Sequence, residues 1–171
     1  MITLATLKLT LTLFACLLTD GATKFEVTTK KSDDQVEIKQ LESQTIFIVQ
    51  SPSGISHANI TRITDKWPAN ISLHLRLHGL ESFKLQTEGK TVNLSVSSSS
   101  TEVRQWLNEK EDRPLDSKSP FWMEIRLLDR DGKPTKSIPL ADGYFEIKLP
   151  AKTLESNPRS LKLEWIDFYR N

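Results

Sequence analysis

At 171 residues, with 23 lysines and arginines against 22 acidic residues, the chain carries a formal net charge of +1 and no polybasic run. Nothing in that balance suggests a nucleic-acid or anionic-membrane partner. The single cysteine, Cys16, falls in an N-terminal leader. An exported remainder without cysteine excludes disulfides, thiolate metal sites and a cysteine nucleophile.

The chain opens MITLATLKLTLTLFACLLTDGA, where Lys8 precedes a largely apolar run from Leu9 to Leu18 and small or polar residues follow. This is the layout of a secretory signal peptide, and the run is too short for a hydrocarbon core of about 30 Å. Leu13-Phe14-Ala15-Cys16 offers a competing lipobox that would acylate Cys16, but bulky Phe14 and the apolar Leu17-Leu18 pair weigh against it. Residues 1–22 are therefore read as the signal peptide and 23–171 as a single exported domain. No second apolar run reaches transmembrane length, and about 150 residues suffice to bury a core.

From there apolar and polar residues alternate with period two. Val36–Leu41 and Ile46–Gln50 begin the series, and Ser72–His78 follows with Leu73, Leu75 and Leu77 on one face and His74, Arg76 and His78 on the other. Phe83–Gln86, Val92–Val96, Trp122–Leu127, Phe145–Leu149 and Leu161–Trp165 repeat it. Such alternation marks half-buried strands. Pro52-Ser-Gly54, Gly79, Glu88-Gly89, Asp131-Gly132, Asp142-Gly143 and Asn157-Pro158 punctuate it. The pattern predicts an all-β fold: an antiparallel β-sandwich of immunoglobulin or fibronectin-III type with eight or nine strands. Val103, Trp106 and Leu107 at i, i+3, i+4 predict a turn of helix, and Ala151–Glu155 after Pro150 another. Asn108–Ser119 reads as a long charged loop.

The acidic-glycine stretch Asp129-Arg-Asp131-Gly132 supplies two oxygens of a calcium loop, but Lys133-Pro134 follows and no closing glutamate stands at the required place. Hairpin chemistry is the better reading, with glycine supplying the positive φ. His74 and His78, four apart, would sit roughly 13 Å from each other on a strand, too far for one ion, and His57 would have to arrive from elsewhere. Ser95–Ser100 lacks a nucleophile elbow. Glu124, Glu146, Glu164 and Asp167 on strands, and Glu109, Glu111, Asp112 and Asp116 on the charged loop, are the acids from which a glycosidase pair would be drawn. Their interleaving with lysine and arginine reads as cross-strand pairing on a wet face. Asn59, Asn70 and Asn93 each begin an N-glycosylation sequon, which matters only in a eukaryotic source.

Four tryptophans remain. Trp122 and Trp165 fall in alternating stretches and are expected in the core. Trp67, before Pro68, and Trp106, on a connector, are the candidate ligand-binding residues, since an exposed indole can stack on the apolar face of a sugar ring.

The run Asp129-Arg-Asp131-Gly132-Lys133-Pro134 with Ala141-Asp-Gly-Tyr-Phe-Glu-Ile-Lys-Leu-Pro150 resembles the carboxypeptidase-regulatory-like modules, small extracellular β-sandwiches, around residues 127–150. That resemblance implies a noncatalytic sandwich module. More broadly, SPSGI, KWP, LHLRLHGLESF, SPFWMEIR, IPLADGYFEIKLP and LEWIDFYR are similar to an uncharacterised family of exported bacterial β-sandwich proteins. This implies a bacterial source and an exported β domain, and carries no site residues over. The expectation is a noncatalytic exported binding or structural module in the periplasm, at the cell surface or outside the cell, with no cofactor or metal. Its partner would be a polysaccharide or another envelope protein. The alternative is a small extracellular hydrolase acting on glycans through a carboxylate pair.

Overall fold

The computed structural model describes residues 23–32, 34–50, 54–76, 80–96, 103–108, 114–136 and 143–167. The leader and lipobox, His78, Glu109, Glu111, Asp112 and Asp142 lie outside these residues, as does the side chain of Asp167.

Eleven strands and one short helix form among the described residues. They are β1 (Phe25–Thr29), β2 (Gln35–Gln40), β3 (Thr45–Gln50), β4 (Gly54–Arg62), β5 (Ile71–Arg76), β6 (Leu80–Thr87), β7 (Lys90–Val96), β8 (Val103–Leu107), β9 (Glu124–Asp129), β10 (Gly143–Lys148), α1 (Ala151–Leu154) and β11 (Ser160–Asp167). They build a six-stranded sheet in the order β1-β4-β11-β6-β7-β8 and a five-stranded sheet in the order β2-β3-β5-β10-β9. Every ladder is antiparallel except β3 with β5, which run parallel from Thr45 beside Ile71 to Gln50 beside Arg76. No helix among the described residues is long and apolar enough to cross a membrane.

The alternation read in the sequence is what stacks the sheets. In β3, Thr45, Phe47 and Val49 point inward while Ile46, Ile48 and Gln50 point out. Inward residues of both sheets form one core, with Ile60, Phe83, Leu94, Leu163 and Trp165 from the larger sheet and Phe47, Leu73, Leu75 and Ile147 from the smaller. Each such side chain contributes about 1.5–3 kcal/mol by leaving water. The sandwich is therefore as expected, and the eight alternating stretches become β2, β3, β5, β6, β7, β9, β10 and β11.

The eleven strands described exceed the eight or nine expected, and three of them lie outside the eight alternating stretches. β4 was hidden because its inward residues are Ser56, Ala58 and Ile60, two of them small. β1 offers only Phe25 and Val27. The helical turn expected at Val103–Leu107 is instead strand β8, with Val103, Gln105 and Leu107 on one face and Arg104 and Trp106 on the other. A buried Gln105 replaces the apolar residue that would have shown the period. The helix expected after Pro150 is present as α1.

The acidic-glycine stretch caps β9. Asp129 Oδ1 accepts from the backbone amides of Asp131 (2.9 Å) and Lys133 (2.8 Å), and Gly132 at φ +80° closes the turn. Leu128 then bridges Pro134, so the chain folds back on β9 before residues 137–142.

A candidate binding cleft at the end of the five-stranded sheet

On the outer face of the five-stranded sheet, register sets Ser72, Lys148 and Glu124 side by side across β5, β10 and β9. Two residues before Glu124, and so on the same side of the chain, stands half-buried Trp122. Ser43, Gln44 and Asn70, from the segments that enter β3 and β5, close the opposite wall. Together these residues line a cleft of about 470 Å³, within the roughly 300–1,000 Å³ usual for small-ligand sites.

Each wall is fixed from below. Gln105, buried at 1% exposure, uses its whole carboxamide on the backbone of Met123: Nε2 donates to the carbonyl (2.7 Å) and Oε1 accepts from the amide (2.8 Å). Met123 is fully buried between Trp122 and Glu124, so this clamp from β8 holds both cleft residues in place. Opposite, Asn70 Nδ2 donates to the Ser43 carbonyl (2.9 Å), and Gln44 Nε2 donates to Ser72 Oγ (2.5 Å). The Asn70 carbonyl is bound by the Thr45 amide (3.0 Å).

The charges are paired. Arg126 Nε donates to Glu124 Oε1 (2.7 Å), and Lys148 Nζ lies 3.4 Å from Glu124 Oε2. The guanidinium bond, aided by Lys148, holds the Glu124 carboxyl below the ordinary carboxylate range. Glu124 is thus ionised, and with Lys148 and Arg126 both on it the group carries one net positive charge.

The sequence candidates lie elsewhere. Trp67, expected to be free, is 9% exposed and belongs to the core. Its ring stands 5.4 Å from Phe25 of β1, and its Nε1 donates to the Pro158 carbonyl (2.5 Å). Trp106 is half-buried on the outer face of the six-stranded sheet, beside Asn93, in the register row His57–Glu164–Lys84–Asn93–Trp106. β1 and β8 form opposite edges of that sheet, about 24 Å apart at the usual strand spacing. Trp67 and Trp106 therefore form no common platform. Trp165 is core, as expected; Trp122 is not.

The signal for Trp122 was present in parity: Met123, Ile125 and Leu127 take one side of that stretch, and Trp122, Glu124 and Arg126 the other. Gln44 and Asn70 had no such signal, because they come together only through the parallel β3–β5 pairing.

The histidines separate. His57 Nδ1 meets Glu164 (3.3 Å) on one sheet, and His74 Nε2 meets Glu146 (3.3 Å) on the outer face of the other, with Tyr144 stacked 4.9 Å from its ring. No group of three histidines, cysteines or acids that could hold a metal occurs among the described residues. Of the three sequon asparagines, Asn93 is buried (4% exposed) and Asn59 half-buried, while Asn70 is exposed at the cleft.

No protein-family model matches the chain, and no curated protein or solved structure does either.

Proposed function

We propose that this chain is an exported, noncatalytic binding module that holds a polysaccharide at the cell envelope. The observation that carries the reading is the Trp122 cleft: one aromatic wall, facing amides and a hydroxyl, on a rigid sheet end. Sugar sites are assembled this way, with a ring for the apolar sugar face and fixed polar groups for its edge. Export rests on the leader read in residues 1–22. The resemblance of 127–150 to carboxypeptidase-regulatory-like modules favours a noncatalytic role.

The three strand acids whose side chains are described support binding over hydrolysis. Glu124 is engaged by Arg126 and Lys148, Glu146 by His74, and Glu164 by His57 and Lys84. A general acid needs a raised pKa and a free proton to give, and Glu124 is shifted the other way. A protein partner finds less support. Among the described residues, the exposed large apolar side chains are Leu41 in the β2–β3 turn and Ile55 and Ile63 near opposite ends of β4, and these make no single patch.

Retention of the purified protein on immobilised polysaccharides tests the reading. Trp122→Ala weakens retention about tenfold or more while the fold persists, as loss of a stacked ring at a site centre does. Equal retention of wild type and Trp122→Ala on every matrix that binds would remove the cleft from the account. Trp106→Ala, if it alone abolished retention, would move the site to the six-stranded sheet.

A further inference from the structure

Resting on the saccharide reading of the cleft, we infer that its occupant is a glycan of at least two linked sugar units, one on Trp122 and the next on the Asn70 and Gln44 amides. A single sugar ring is too small to engage both walls. Register carries the inference. Ser72, Lys148 and Glu124 occupy one row across β5, β10 and β9. Two residues further toward the sheet end, Asn70, Pro150 and Trp122 fall in the next row, and the β3–β5 pairing sets Gln44 beside Asn70. The Leu149 amide bonds the Ile71 carbonyl (3.0 Å) and the Thr45 amide bonds the Asn70 carbonyl (3.0 Å), so both ladders continue to that row.

At the usual strand spacing, Trp122 stands about 10 Å from Asn70, two strands away, and about 14 Å from Gln44, three strands away. Asn70 leans further from the ring, because its Nδ2 donates to the Ser43 carbonyl on the β3 side (2.9 Å). Between the walls lies buried Pro150, which has no N–H, and its carbonyl is bound by the Thr153 amide (2.9 Å). A six-membered sugar ring with bonds of about 1.5 Å measures about 5–6 Å between its outer oxygens. Laid toward Asn70, or packed on the indole at about 3.5–4.0 Å, one ring covers about half the gap. Its hydroxyls then stop short of the roughly 3.2 Å at which they could bond the amides. The second unit closes that distance.

Titration calorimetry with ligands of increasing length tests this. The probes are the methyl monosaccharides and the di- to hexasaccharides derived from cellulose, xylan, mannan and starch. Within a series that binds, the disaccharide should bind about tenfold more tightly than the methyl monosaccharide, the worth of one or two added hydrogen bonds. The trisaccharide should bind at least as tightly, and beyond the tetrasaccharide the Kd should change less than about threefold, because the row is then filled. Asn70→Ala should narrow the gap between monosaccharide and trisaccharide, and Trp122→Ala should weaken every length.

Equal Kd values for the methyl monosaccharide and the trisaccharide would mark a single-ring pocket. They would overturn the inference and leave the saccharide function standing. So would a Kd that keeps falling about tenfold per unit to the hexasaccharide, which would mark a track far longer than the row. Binding in none of the series, together with no retention on any polysaccharide, overturns both. The length series needs no substitution, so it holds even where a variant fails to fold.

Discussion

Trp67 is buried in the core, and Trp122 is half-buried and lines the cleft, an exchange of the duties that the sequence suggests for them. Trp67 packs on Phe25 and bonds Pro158, tying the segment before β5 to the start of β11. Truncating so large a buried ring costs about 3–5 kcal/mol. Trp67→Ala should therefore lower the midpoint of chemical denaturation sharply, whereas Trp122→Ala should move it little; equal losses would place Trp122 in the core after all. His74 adds a pH dependence. Burial, opposed by its bond to Glu146 and slightly reinforced by Lys39, depresses its pKa below the ordinary 6.5. The neutral ring, stacked on Tyr144, donates from Nε2 to the Glu146 carboxylate. The unfolded chain then binds the proton more readily, so stability is complete above about pH 6.5 and declines as the pH falls toward the folded pKa. Thermal melts from about pH 7 to about pH 5 should show this decline, and His74→Gln should flatten it. Glu124 acts in a separate window, below its ordinary 4.5.

Among the elements, the turn after β9 shows how much local chemistry could be read in advance and where that reading stopped. Asp129-Arg-Asp131-Gly132 was legible as a turn, and Gly132 takes the φ of +80° that such a turn requires. A Cβ there would also come within 3.0 Å of the Tyr144 hydroxyl. Asp129→Ala removes the acceptor for two backbone amides and should cost about 1–2 kcal/mol. Chelation of divalent ions should leave the melting curve unchanged, while calcium-dependent melting would return that stretch to a metal site. Strands were legible where inward residues were large and apolar, as in β5 and β10. They were not where the inward residue was Ser56 or Gln105, because hydropathy cannot tell a buried polar group from a wet one. Gln105 can be buried only because Met123, eighteen positions away, offers it both a donor and an acceptor.

That same contact joins the two sheets. β8 is an edge of the six-stranded sheet, and Met123 leads into β9, an edge of the five-stranded one. Gln105→Leu keeps the volume but strands a buried N–H and C=O, for a loss of about 2–4 kcal/mol. It should also blunt binding at the cleft, because Trp122 and Glu124 flank the clamped residue. Sandwich architecture followed from the alternating stretches alone; the cleft did not, since it needs the parallel β3–β5 pair to bring Asn70 beside Gln44 and the β10–β9 register to bring Lys148 beside Glu124. The four tryptophans offer the most direct test of the whole account. Their indole N–H signals, assigned through single Trp→Phe variants and followed in a ¹H–¹⁵N spectrum during titration with a soluble form of the polysaccharide that retains the protein, report each ring separately. The account predicts that the Trp122 signal moves while those of buried Trp67 and Trp165 stay fixed. Movement confined to Trp106, with Trp122 unmoved at saturation, would contradict it.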